Sequence, residues 1–195
     1  MPPSDIDLQS GFRLPLPKRE DLDEAGKRAY DRASTPGKTI VGLRGPAGIH
    51  LYSTGTVDAH NALNSYLRFQ TSFDPKIREV AILAVAREMD SRFEWAAHEP
   101  EALQVGVPAE IIDVIKHRKS TQGLDETYAA IIELGREAVG KHKVTSAAFA
   151  RAKALFEPTK LVQLVMLMGV YASTAILLAA FDMQVPDGKP QLPGA

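Results

Sequence analysis

FDPKIREVAILAVAREMDSRFEWAAHEPEALQVGVPAEIIDVI, residues 73–115, is the stretch on which the fold turns. Asp74-Pro75 supplies a helix N-cap followed by proline at the first helical position, where its missing N–H removes no bond. The run that follows is apolar on all sides in its middle, which predicts a central helix over about 75–89. Asp90 and Ser91 mark a turn, and a second helix starts at or close to Ser91. Gly106 suits the end of that helix, and Pro108 opens another. The first two helices form a tight antiparallel hairpin.

Outward from this hairpin the chain continues to read as helix. Residues 20–34 carry acids early and bases late, as the helix dipole prefers. Thr35-Pro36-Gly37 ends that element, and residues 37–55, with five glycines and Pro46, read as a long loop of a kind that is often functional. In 56–72, Val57, His60, Leu63, Leu67 and Gln70 fall on one helical stripe. Asp125 caps a helix over 126–140, a shorter helix occupies 145–156, and Pro158 precedes a strongly apolar one. No segment alternates as a strand would, so the fold class is all-α. The expected organisation is an extended N-terminal arm at 1–19, a single helical domain at 20–183 and a loose tail at 184–195.

The apolar run 161–181, LVQLVMLMGVYASTAILLAAF, is long enough to span a bilayer. No cluster of Lys and Arg marks either end. The alternative, a helix buried in the domain centre or at a subunit interface, is the reading adopted, so no membrane association is expected. With 195 residues, 45% hydrophobic and 24% charged, the composition is that of an ordinary globular protein. The net charge of −1 offers no global attraction for nucleic acid, and basic residues are scattered. There is no cysteine, which removes disulfides, thiolate metal sites and every thiol mechanism. The N-terminus has no apolar signal segment, and the expected location is cytoplasmic.

The hairpin also concentrates the residues able to carry chemistry. Glu94 and His98 are four apart and share a helix face. Counting 1.5 Å per residue from the turn, Glu79 and His98 stand at heights of about 16 and 12 Å, roughly level across an antiparallel pair. Glu94 lies about one turn nearer the hairpin. A carboxylate can fix the tautomer of an imidazole while the other ring nitrogen moves a proton, and a second carboxyl against an apolar wall can hold a proton near neutral pH. Trp95 and Phe93 can help exclude water. A plainer reading competes, since Ser91-x-x-Glu94 fits a capping box in which Glu94 bonds only the helix terminus. Pro100 predicts a kink or a new turn just after His98.

His60 shares a stripe with Leu63 and Leu67 and is either a pocket residue or a core histidine. His50, in the glycine-rich loop, has the same two readings. His117 and His142 read as solvated. No HExxH or paired-histidine signature supports a metal site. GLRGPAG follows no strand and precedes no clear helix, so it is not read as a phosphate loop.

Arg-Glu before an apolar helix, then Glu94-Trp95-x-x-His98, then Ala, Gly and a proline-started helix, resembles the carboxymuconolactone decarboxylase family, which includes alkylhydroperoxidase D-like proteins. The resemblance implies that fold, with its central helical hairpin, and a homo-oligomer, commonly a trimer or hexamer. Where the peroxidase branch has a Cys-x-x-Cys, Ser91 and Glu94 stand here, so a thiol peroxidase reaction is disfavoured. Glu79 and His98 match the proton-relay pair of that branch, and Glu94 fits the decarboxylase branch. The implied activity is that of a cofactor-independent carbon–carbon lyase acting on a small lactone or carbonyl acid, with His98, Glu94 and Glu79 moving protons. His60, Arg78 and Trp95 are the expected substrate contacts, with no metal or organic cofactor. Another lyase, isomerase or hydrolase on the same scaffold, or a non-catalytic binding or assembly protein, are the alternatives.

Overall fold

The computed structural model describes residues 3–194, and these form nine α-helices and no strand. They are α1 (Glu24–Ser34), α2 (Pro46–His50), α3 (Thr54–Ser65), α4 (Pro75–Glu88), α5 (Arg92–Gln104), α6 (Ala109–Lys116), α7 (Glu126–Gly135), α8 (Ser146–Leu155) and α9 (Pro158–Ala180). Single π-turns, Tyr66–Gln70 and Arg136–Gly140, extend α3 and α7. The all-α expectation is met.

Helix α4 is the axis of the domain. Every residue from Glu79 to Arg87 is buried, and α5, α6, α7 and α9 pack around it. Asp74 caps it by accepting from the Lys76 N–H, and Pro75 occupies its first turn. Asp125 and Thr145 cap α7 and α8 in the same way.

The turn between α4 and α5 is short because Asp90 adopts the left-handed conformation, with φ 48°. Ser91 N–H then reaches back to the Ala86 carbonyl (2.8 Å) and Asp90 N–H to Arg87 (3.2 Å), the two bonds of a Schellman closure. Helix α5 runs unbroken through Pro100 to Gln104, so no new turn begins after His98.

Two corrections concern the ends of the chain. The extended arm expected at 1–19 is, from residue 3 on, packed against the domain. Phe12 is fully buried in a second apolar cluster with Ile49, Phe93, Leu178 and Met183. Arg13 N–H donates to the Phe181 carbonyl and Gln184 N–H to that of Gly11, so this segment is tied to the chain leaving α9. The C-terminal segment is likewise anchored rather than loose: Leu192 is buried in the main core, and Arg87 donates to the Pro193 carbonyl (2.9 Å).

The segment 37–55 is also more ordered than a loop. It contains α2 and a 3₁₀ turn at Leu51–Ser53. Its glycines have a packing reason: a Cβ on Gly48 would lie 2.2 Å from the Leu43 carbonyl oxygen, and Gly42 has φ +67°.

By length and hydropathy α9 could cross a bilayer. One side of it, including Leu161, Leu164, Leu167, Met168, Tyr171, Ala175 and Leu178, is buried in this chain's own core. Val162, Val165, Met166 and Ile176 are exposed on the other side.

Candidate active site

A cavity of about 610 Å³ opens between α1, the 37–42 segment, α2, α3, α5 and α9. At its floor His98 Nδ1 lies 2.8 Å from Glu79 Oε2, and Glu79 is completely buried. The level register expected across the hairpin therefore brings these two side chains together. With Nδ1 committed to Glu79, Nε2 is the free ring nitrogen, and His98 lines the cavity.

Glu79 is held from a second side by cations. Arg78 Nε donates to Glu79 Oε1 (3.0 Å), and Arg68 Nη2 lies 4.0 Å from the same oxygen. Arg78 also donates to the Arg68 carbonyl, and both guanidinium groups lie against the Phe69 ring. Burial alone would raise the Glu79 carboxyl. The hydrogen bond and charge interaction with His98, with those of Arg78 and Arg68, outweigh it and hold Glu79 below its ordinary value. Glu79 is thus a fixed carboxylate beneath the imidazole.

Glu94 is the opposite case. It is 3% exposed and lines the cavity, and neither of its carboxyl oxygens has a hydrogen-bond partner among the described residues. Burial pushes it up to about 8. It is therefore largely protonated at neutral pH. The capping-box reading fails for a physical reason: the Schellman closure of α4 consumes the Ser91 N–H on Ala86, so the backbone donor that a capping box offers Glu94 is already engaged.

Arg78 and His60 also line the cavity. Trp95 does not, which corrects the expectation that it contacts substrate. It is fully buried in the core, its Nε1 donates to Glu99 (2.7 Å), and Lys116 lies over its ring. On α5 the positions of Glu94 and His98 face the cavity, and Trp95 is rotated about 100° from Glu94.

Among the wall residues that sequence reasoning missed are Tyr171 and Arg68. Tyr171 on α9 meets His98 edge-on, with ring centroids 5.1 Å apart, and burial pushes its phenol upward so that it stays protonated. Arg68 lies in the π-turn that follows α3. The lone polar ring of Tyr171 in an apolar run was the available signal for the first; nothing local marked the second. His50, left open by the sequence, lines the cavity with its ring 4.2 Å from that of His60. His117 and His142 are exposed, as expected. Among the described residues no group of three or more His, Asp or Glu side chains is arranged to hold a metal ion.

Residues 55–134 match the model of the Carboxymuconolactone decarboxylase family. The resemblance seen in the sequence therefore stands over the segment that holds Glu79, Glu94 and His98. A solved structure from Agrobacterium tumefaciens is similar over 71% of this chain and 95% of its own, with 16% identity and a TM-score of 0.62. That protein is described as being of unknown function and provisionally as an antioxidant defence protein, AhpD. At this identity the likeness shows the alkylhydroperoxidase D-like fold. No curated protein matches the chain.

Proposed function

We propose that the chain is a cofactor-independent lyase that moves protons on a small lactone or carbonyl acid. The observation that carries this reading is the pairing, in one cavity, of a histidine oriented by a buried carboxylate with a second, protonated and unpartnered carboxyl. Two titratable groups whose surroundings push them apart are suited to distinct acid and base roles.

In the decarboxylation of an acid whose carbonyl lies β to the carboxylate, the carbon–carboxylate bond breaks, its electron pair forms a double bond to the carbonyl carbon, and the carbonyl oxygen takes the charge as an enolate. Glu94, as a neutral acid, donates to the developing enolate oxygen, where a charged carboxylate would repel it. Carbon dioxide leaves, and the carbon takes a proton from His98 Nε2. Glu79 stays ionised and stabilises the imidazolium that delivers it. Arg78 and Arg68 supply positive charge for the substrate carboxylate. Thiol peroxidase chemistry has no sulfur nucleophile in this sequence.

The same groups could serve an isomerase, and the resemblance leaves that alternative standing. A screen of small lactone acids and oxo acids by carbon dioxide release and by proton NMR separates them. With a substrate in hand, His98→Ala and Glu94→Gln are each expected to lower turnover about 10²–10⁴-fold. Turnover within a few-fold of wild type overturns the assignment. Ligand binding without turnover by the wild type supports a binding role instead. The homo-oligomer implied by the resemblance is placed, in this proposal, on the exposed apolar side of α9.

A further inference from the structure

The walls of the cavity carry buried polar atoms that the protein leaves unpartnered. Besides both oxygens of Glu94, His50 Nε2, Asn64 Oδ1 and Arg68 Nε have no partner among the described residues. All four residues line the one cavity. Leaving such a group unsatisfied costs about 1–3 kcal/mol, so a convergent set of them describes a surface completed by what binds there.

His50 and His60 form the distinctive part of this surface. Their rings are tilted by 32° with centroids 4.2 Å apart, one on α2 and one on α3. His50 lies before the segment that matches the family, which begins at residue 55. The tight packing at Gly48 holds α2 in place, so the His50 ring is presented from a fixed backbone.

We propose that the His50–His60 pair recognises an uncharged oxygen of the ligand, a hydroxyl or carbonyl, while Arg68 holds the carboxylate at its other end. The ligand class is then a monocarboxylic hydroxy or oxo acid long enough to reach between them. Charge separates the two ends. Near the floor, two guanidinium groups face one ionised carboxylate, an excess that favours an anion. At the histidine pair, burial and the neighbouring His60 hold His50 down to about 4, and burial holds His60 below its ordinary value. Both rings are neutral at pH 7 and hydrogen-bond to a neutral oxygen without attracting a second carboxylate.

The inference names a ligand class for the cavity and rests on the proton-transfer reading for what becomes of the ligand: a member of the class that is decarboxylated must also carry a carbonyl β to its carboxylate. Its test reads binding alone, so the two can fail separately. Hexanoate, 6-hydroxyhexanoate and adipate are flexible acids of equal chain length. Titration calorimetry at pH 7 is expected to give 6-hydroxyhexanoate roughly tenfold tighter binding than hexanoate, and tighter than adipate. His50→Phe/His60→Phe keeps two stacked rings without nitrogen and is expected to abolish the preference while hexanoate binding is kept. Arg68→Met is expected to weaken both monoacids and leave their ratio unchanged. Should the double variant fail to fold, nitrogen-15 NMR of the wild type serves: the His50 and His60 imidazole signals move with 6-hydroxyhexanoate and stay put with hexanoate. Equal binding of the two monoacids, tighter binding of adipate, a preference that survives the double substitution, or no binding at millimolar concentration overturns the proposal.

Discussion

Oε2 of Glu79 and Nδ1 of His98 lie 2.8 Å apart across the α4–α5 hairpin, nineteen residues apart in the chain. The bond joins the two helices and sets the ring. Glu79 is also the shared counter-charge of Arg78 and Arg68, whose side chains are each 13% exposed. Glu79→Leu therefore leaves two nearly buried cations without a counter-charge. It is expected to destabilise the fold by about 3–5 kcal/mol in urea denaturation. Glu79→Gln keeps the shape and a hydrogen-bonding group, and is expected to lose less. Both variants remove the charge, so a Glu79→Gln protein as stable as the wild type would remove the charge argument.

Glu94 makes stability depend on pH. Its native value of about 8 exceeds the ordinary 4.5, so between these pH values the folded state binds more protons than the unfolded one. Stability is then full below about 4.5 and falls as pH rises to 8, by at most about 5 kcal/mol from this group. Glu94→Gln removes the dependence. Denaturation midpoints of wild type and variant are expected to diverge in favour of the variant as pH rises from 5 to 8.5. Parallel curves would mean that Glu94 ionises freely.

Trp95 and Tyr171 test which aromatic rings belong to the site. Trp95→Phe removes a core indole and its bond to Glu99 and is expected to cost about 1–3 kcal/mol, with acid binding unchanged. Tyr171→Leu removes the ring that stands edge-on to His98 and is expected to weaken acid binding or turnover as well as stability. Calorimetry of both variants with the same acid checks the contrast, and weaker binding by Trp95→Phe would reverse it.

The apolar side of α9 is expected to lie between copies of the chain. Val162, Met166 and Ile176, 58%, 44% and 60% exposed, are spaced along one face of the helix. Met166→Lys and Ile176→Lys together are expected to reduce the mass measured by light scattering on a sizing column to that of one chain. An unchanged mass would place the contact elsewhere, and a wild type already monomeric would discard it.

The fold was legible because its signals are local. Asp74-Pro75, Gly106 and the apolar runs announce helices without reference to distant residues. The register of Glu79 against His98 was legible too, because a short turn between two regular helices leaves little freedom. Whether Glu94 caps its helix was not, since that depended on whether the Ser91 N–H was already engaged by Ala86 in the turn behind it. Nor was Arg68, whose place at the floor depends on the π-turn that follows α3. The glycines of 37–55 read as a long loop, whereas at Gly48 the missing Cβ is what lets the chain pack tightly.

The backbone bonds that join Gly11 and Arg13 to the residues following α9 fasten the beginning of the described chain to its far end. A single protease cut within the segment between α1 and α2 would therefore leave two pieces that stay together. The smaller piece would keep Phe12 in its cluster and remain noncovalently bound through gel filtration, separating only in denaturant. A nicked preparation should thus look whole until it is boiled.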